Sequence, residues 1–284
     1  MGRRGQYDTN GYTSNSKHII VICEYSMVGL FFDGAAMKSK MKKIKDYLFY
    51  HEVGPPDIKI YHGDCLEVMD FWGGTEFVDL VITSPPYNLG NDHHTADRKI
   101  NPYNDNMPEK DYQDQQVVVL CNLSDILTNG GHVFYNHKVR IKKGVAIHPL
   151  SWISRTDLVL KQELIWIQGT PNMDACRFFP FTERIYWLTK YDSTEIKNKR
   201  YKDYFQWSPV GITGKHDRQF PIELPKTFID VVPNAKTVLD PYMGRGTTLI
   251  ACKELNRDCI GIEKNIDYCE LAKKRLQNTL VPMF

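Results

Sequence analysis

Thr237-Val238-Leu239-Asp240-Pro241-Tyr242-Met243-Gly244-Arg245-Gly246-Thr247-Thr248 runs directly into Leu249-Ile250-Ala251-Cys252-Lys253-Glu254-Leu255. An apolar run, a glycine-bearing turn and a helix-forming run follow in that order, as they do in a Rossmann-like unit. Gly244 and Gly246 allow the backbone to come close to a ligand, and the helix N-terminus behind them favours negative charge. A second apolar run, Cys259-Ile260-Gly261-Ile262, ends in Glu263. It lies about 20 residues past the turn, where an acid in such units meets ribose hydroxyls. The third glycine of the dinucleotide fingerprint is missing, and Asp240-Pro241 opens the loop instead. The stretch therefore points to a nucleoside cofactor other than NAD.

Upstream, Ser84-Pro85-Pro86-Tyr87 closes the apolar run Val78-Asp79-Leu80-Val81-Ile82-Thr83. A hydroxyl, two imino residues and an aromatic ring at the end of a buried strand suit a flat, amino-bearing ring. The Ser84 hydroxyl and the Pro85 carbonyl can accept from N–H groups, and neither Pro85 nor Pro86 has a backbone N–H to donate. Tyr87 offers a face on which an extruded base can stack, an interaction worth ~1–3 kcal/mol.

Periodicity extends the pattern. Strands are predicted over 58–61, 78–83, 131–135, 163–166, 184–188, 237–239 and 259–263. Helices are predicted over 111–127, closing at Asn129-Gly130-Gly131, and over 246–255 and 267–277. The alternation implies an α/β fold: a Rossmann-like, doubly wound, mostly parallel sheet with helices on both faces and a small inserted recognition region. Ligands of such sheets bind at the carboxyl ends of the strands, where Asp64, Ser84, Asp240 and Glu263 all fall.

The two blocks together resemble the amino-group DNA methyltransferases, whose cofactor is S-adenosylmethionine. With Thr83-Ser84-Pro85-Pro86-Tyr87-Asn88 first and the glycine loop last, the order resembles the circularly permuted beta group. Ile60-Tyr61-His62-Gly63-Asp64-Cys65-Leu66 looks like the family's strand ending in Gly-Asp, whose acid contacts the cofactor adenine. His216-Asp217-Arg218-Gln219-Phe220-Pro221-Ile222-Glu223-Leu224-Pro225 resembles the segment that packs near the cofactor's methionine end. The resemblance covers roughly residues 57 to 278. It implies Ser84, Pro85, Pro86 and Tyr87 as catalytic residues. Asp64, Asp240, Pro241, Tyr242, Gly244, Gly246, Thr247 and Glu263 are the implied cofactor contacts.

The chain departs from the family pattern in two places. Where many adenine-modifying relatives carry His-Pro-Thr-Gln-Lys-Pro, this chain has Asp217, Arg218 and Phe220, so a lysine contact to the cofactor carboxylate does not carry over. Phe220-Pro221 is closer to the form seen in relatives that methylate cytosine N4. Tyr242 replaces the usual phenylalanine of Asp-Pro-Phe and keeps an aromatic ring there. Serine at position 84, where the family's adenine enzymes mostly carry aspartate, also favours cytosine. The resemblance thus implies methyl transfer to N4 of a cytosine flipped out of duplex DNA, with N6 of adenine as the alternative. Direct transfer needs proximity and orientation, and calls for no covalent enzyme intermediate and no metal. A non-catalytic S-adenosylmethionine-binding module and an RNA or protein amine methyltransferase are rival readings.

The 284 residues allow one large α/β domain with insertions. At 42% hydrophobic and 25% charged residues, the composition excludes a disordered chain. A net charge of +2 does not itself announce a nucleic-acid binder. The local runs Lys38/Lys40/Lys42/Lys43/Lys45, Lys138/Arg140/Lys142/Lys143 and Lys197/Lys199/Arg200/Lys202 are either solvated faces or phosphate contacts. Seven scattered cysteines without a Cys-x-x-Cys pair read as a reducing compartment, here the cytoplasm. His93-His94 has no ligand-spaced partner and reads as part of a loop.

Residues 1–45 are expected to be an extension of unassigned role, and 46–284 the catalytic domain. The apolar run from His18 to Phe32 is broken by Glu24 and too short for a membrane span. Residues 88–106 read as a polar loop that closes over cofactor and base. Residues 191–215, with Tyr201, Tyr204, Phe205 and Trp207 among basic residues, are the candidate target-recognition insertion. Its small size suits a short DNA sequence, or help from a second copy in a homodimer. No feature of the chain specifies a restriction endonuclease partner.

Overall fold

In the computed structural model, Val78–Thr83 is a strand buried on both faces, as its near-continuous apolar sequence requires. The structure describes residues 42–90, 105–168, 177–208, 210–212, 215–219 and 221–281, with backbone alone over 210–219. The first half of the chain comprises β1 (Leu48–Glu52), β2 (Ile58–His62), α1 (Cys65–Asp70), β3 (Val78–Thr83), α2 (Glu109–Ile126) and β4 (Leu127–His137). Then follow β5 (Arg140–Lys142), β6 (Val145–Ile147), α3 (Leu150–Ile153), β7 (Val159–Ile167), β8 (Thr182–Thr189) and β9 (Tyr204–Gln206). The last part holds β10 (Val210–Ile212), β11 (Lys215–Gln219), α4 (Glu223–Val231), β12 (Thr237–Asp240), α5 (Thr247–Glu254), β13 (Asp258–Glu263) and α6 (Ile266–Gln277).

Nine strands form one sheet in the order β1-β2-β13-β12-β3-β4-β8-β7-β9. The five from β2 to β4 are parallel. Antiparallel β1 extends one side, and β8 and β7 extend the other, with β9 parallel to β7 at the edge. Successive residues of the central strands feed opposite cores. Ile58, Ile60, Leu80, Ile82, Phe134 and Val238 pack in one cluster with residues of α4, α5 and α6. Tyr61, Val81, Val133, Tyr135, Leu239 and Ile262 pack in the other, with residues of α1, α2 and α3. The expected doubly wound α/β fold is the one found.

One expected helix end moves. The sequence predicts closure of the helix at Asn129-Gly130-Gly131, but α2 stops at Ile126 and the chain enters β4 at once. A Cβ on Gly131 would lie 2.4 Å from Leu127 Cγ and 2.9 Å from Thr128 O, so this glycine serves a close approach within an irregular strand start. Residues 1–41, the 91–104 part of the polar loop with His93-His94, and Phe220 lie outside the described residues.

The chain passes from β12 through α5 to β13 on one side, and from β3 through α2 to β4 on the other. β12 and β3 are neighbours, so the strand order reverses between them. A crevice outside their carboxyl ends is where ligands of such sheets bind.

Candidate active site

Ser84 follows β3 at that switch point, and Asp240 ends β12 beside it. The Thr83 hydroxyl donates to Asp240 Oδ1 at 3.0 Å, joining the two predicted blocks directly. Ser84 Oγ lies 2.7 Å from the Tyr87 hydroxyl. The Tyr87 hydroxyl in turn donates to Glu183 Oε2 at 3.0 Å. Asn136 Nδ2 lies 2.7 Å from Tyr87 Oη, 3.0 Å from Glu183 Oε2 and 3.3 Å from Ser84 Oγ. Asn136 is buried near the end of β4, and Glu183 is buried at the start of the antiparallel β8, so both reach the carboxyl end of β3. Neither was named from the sequence. The available signal was a polar Asn136-His137 pair closing an apolar strand at the same sheet end as Ser84.

The proline pair is held as firmly. The Tyr112 hydroxyl, on α2, lies 2.7 Å from both the Pro86 carbonyl oxygen and His137 Nε2, and its single hydrogen serves these two acceptors, since His137 Nδ1 donates to the Lys138 carbonyl at 2.8 Å. His137 also packs its ring 4.7 Å from that of Tyr87, centroid to centroid. Burial drives His137 down to about 3, so its imidazole is neutral at physiological pH. Burial first, and then the Glu183 charge, raises Tyr87 well above the ordinary phenol value, which keeps its hydroxyl a donor. Asn88 adopts a left-handed φ of 55° and pairs through its amide with both the N–H and the C=O of Met107. With Gly90 N donating to Asp105 O at 2.8 Å, the two ends of the polar loop are stitched together beside the tetrapeptide.

On the other side of the switch point, the glycine loop leads into α5, with Gly246 at the helix N-cap and φ of 76°. A Cβ there would sit 2.9 Å from Ala272 Cβ, whereas one on Gly244 would meet no atom within 4 Å. Gly244 N and Asn265 N donate to the two oxygens of Glu263 at 2.9 and 2.7 Å. Asp64 caps α1 through Leu66 N at 3.0 Å and pairs with Lys264 at 3.2 Å. Gly63 N donates to Glu263 O at 2.9 Å, which brings Asp64 and Glu263 to adjoining strand ends. Tyr242 is half-buried, with its hydroxyl beside Cys65, whose thiol burial pushes up to about 12. Pro241 and Thr247 are buried in the loop and first helical turn.

Asp240, expected as a cofactor contact, lies 1% exposed beneath the loop. Its oxygens accept from Thr83, Thr248 Oγ1 at 2.7 Å and Tyr242 N at 3.1 Å. Burial raises its carboxyl to about 7 against these three donors. Its geometry is that of a brace that shapes the loop.

The residues present fit S-adenosylmethionine on three counts. The loop face is open at Gly244. The Glu263 carboxylate, buried at the end of β13, accepts from Gly244 N and Asn265 N and so sets an acidic group against the glycine loop, the group type that meets ribose hydroxyls in such units. A cleft of about 370 Å³ opens beside Asp64, lined also by Lys42, Tyr47, His62 and Lys264. Of the expected cofactor residues, Asp64 alone lines that cleft, and the others surround the loop one and two strands away.

The candidate recognition segment divides in two. Phe205 on β9 is buried in the core and stacks on Trp207 at 5.2 Å, while Tyr201 and Tyr204 are exposed. Arg140 of the second basic run is buried in a two-point pair with Glu109, at 2.7 Å for each contact. In the third run, Lys199 pairs with Glu195 and Arg200 with Asp230, both at 3.1 Å at the surface. Among the described residues no group of three or more His, Cys, Asp or Glu could hold a metal. No described helix is long and apolar enough to cross a membrane.

The type II methyltransferase M.ScaI of Streptomyces caespitosus is 25% identical over 290 residues, covering 88% of this chain and 91% of its own length. The solved PvuII DNA methyltransferase (cytosine-N4-specific) shares the fold, with a TM-score of 0.63 at 18% identity over 78% of this chain and 90% of that one. The M1.HpyAVI–SAM complex matches with a TM-score of 0.55 at 26% identity, over 77% of this chain and 99% of that one. The model of the N6/N4 DNA methylase family matches residues 78–274, so this chain belongs to that family of S-adenosylmethionine-dependent DNA methyltransferases.

Proposed function

We propose that this protein methylates N4 of a cytosine flipped out of duplex DNA, within the permuted beta arrangement of the family. The observation that carries the reading is Ser84 at the switch point, one strand from the glycine loop and joined to it through Thr83 and Asp240. The amino nitrogen of a stacked, paired base is out of reach, so extrusion into a pocket is required. S-adenosylmethionine supplies an electrophilic methyl group on its sulfonium. Ser84 and the Pro85 carbonyl accept from the amino group as its nitrogen becomes more tetrahedral, an interaction that strengthens toward the transition state. Tyr87 presents ring surface to the base while His137 supports it from behind.

The cytosine assignment draws on serine at position 84 and on Phe220-Pro221. The beta arrangement is supported by chain order: β3 precedes β12 by some 150 residues yet pairs with it in the sheet. In this reading Glu263 accepts the ribose hydroxyls, Asp64 the adenine, and the exposed Tyr201 and Tyr204 meet DNA. The identity of the methylated nucleoside recovered from treated DNA is the test.

A further inference from the structure

We propose that Glu183 is a positioning residue that fixes the direction in which the Ser84 hydroxyl donates, so that Ser84 meets the substrate amino group as an acceptor only. The inference rests on the amino-group methyl-transfer reading above.

Counting protons through the cluster gives the argument. As a carboxylate, Glu183 can only accept. Its Oε2 lies 3.0 Å from the Tyr87 hydroxyl, so Tyr87 spends its one hydrogen there. It also lies 3.0 Å from the Asn136 amide, which must present its nitrogen, because an amide oxygen so close to a carboxylate would be repelled. Asn136 therefore donates to Tyr87 Oη at 2.7 Å as well. The Tyr87 oxygen has no hydrogen left, so the 2.7 Å contact with Ser84 has one sense: Ser84 donates and Tyr87 accepts. Ser84 has then used its hydrogen inward. What it keeps is lone pairs, with Asn136 Nδ2 at 3.3 Å the only other neighbour in the cluster. Those lone pairs suit an amino group, which presents hydrogens.

An apolar side chain at position 183 would undo this order. It takes away the acceptor that Tyr87 and Asn136 share, which frees the Tyr87 hydrogen for Ser84 and turns the Ser84 hydrogen outward, whereas a glutamine can set its amide oxygen where Oε2 lies and keep the order. Donor would then face donor at the substrate nitrogen.

The test uses the full chain with S-adenosylmethionine and duplex DNA, and compares wild type, Glu183→Leu, Glu183→Gln, Tyr87→Phe and the double variant Glu183→Leu/Tyr87→Phe, each assayed below its own Tm. Glu183→Leu, of similar size but without an acceptor, is expected to lower kcat by about tenfold or more. KM for DNA and calorimetric S-adenosylmethionine affinity should stay close to wild type. Glu183→Gln keeps an acceptor oxygen for Tyr87 and Asn136, and should retain most of the turnover that Glu183→Leu loses. With Tyr87→Phe present the relay is cut, so adding Glu183→Leu should change kcat by less than about twofold, a non-additivity expected only of groups that act as one unit. Wild-type kcat in Glu183→Leu, an equal loss in the two backgrounds, or Glu183→Gln falling as far as Glu183→Leu would each overturn the proposal. So would a loss confined to Tm or cofactor affinity. If wild type transfers methyl to adenine N6, the cytosine assignment falls while the relay is still read on an amino group. If wild type transfers no methyl to DNA, the reading beneath the proposal fails, and the proposal with it.

Discussion

Thr83 and Asp240 stand 157 residues apart in sequence and meet at the centre of the sheet, where the Thr83 hydroxyl donates to Asp240 Oδ1 at 3.0 Å. The contact ties the strand that delivers Ser84 to the strand that delivers the glycine loop. On the proposed reading, base and methyl donor are thereby referred to one rigid element, and rigid reference is what proximity catalysis requires.

The Asp240 brace predicts a pH dependence of stability. Its folded-state value of about 7 stands above the ordinary 3.8, so between these limits the folded protein binds the extra proton. Stability from this group is therefore full below about 4 and declines as pH rises to about 7. Urea unfolding across that window, wild type against Asp240→Asn, should show the decline in wild type and its loss in the variant. A pH-independent difference between the two would mean that the three donors hold the carboxylate ionised.

Gly244 and Gly246 should respond differently to alanine. Both carry positive φ, but the Gly246 site also puts a Cβ 2.9 Å from Ala272, while the Gly244 site is open. Gly244→Ala should cost about 1 kcal/mol of backbone strain, and Gly246→Ala about 2–4 kcal/mol with the clash added. Thermal unfolding ranks them. Equal losses would deny the packing argument.

Cofactor affinity should depend on Glu263 and on the open ground at Gly244. Hydrogen bonds to a charged group are worth about 1.5–3 kcal/mol, so Glu263→Ala should weaken S-adenosylmethionine by roughly 10- to 100-fold. Gly244→Val should weaken it too, by filling the space over the loop. Unchanged titration calorimetry in both would reduce the loop to a structural turn.

Much of this was legible in sequence because it was local. The strands at 78–83 and 259–263 stand out as short apolar runs, and the structure places them at Val78–Thr83 and Asp258–Glu263. Edge strands gave weaker signals: β1 is half-exposed and β9 has three residues. Glu183 and Asn136 were missed because their partner Tyr87 lies 96 and 49 residues away, and no spacing rule connects them. Asp240 was read as a cofactor contact from the motif, and only burial beneath the loop displays its bracing geometry.

The recognition segment yields a paired prediction. Phe205→Ala, in the core, should cost about 3–5 kcal/mol of stability. Tyr204→Ala, at the surface, should leave stability within about 0.5 kcal/mol and weaken duplex DNA binding by about 1–3 kcal/mol if its ring stacks on a base. Unfolding curves and fluorescence anisotropy separate the two effects. Wild-type DNA affinity in both Tyr201→Ala and Tyr204→Ala would remove this face from the DNA contact.

The central claim is chemical, and the modified base tests it most directly. Duplex DNA treated with the protein and S-adenosylmethionine, digested to nucleosides and analysed by mass spectrometry, should yield N4-methylcytosine. Ser84→Ala should lower that yield through the rate more than through DNA binding. Recovery of N6-methyladenine would contradict the cytosine assignment and leave the amino-group chemistry in place. Recovery of C5-methylcytosine would contradict the mechanism itself, because that reaction needs a nucleophile that Ser84, Tyr87, Asn136 and Glu183 do not supply.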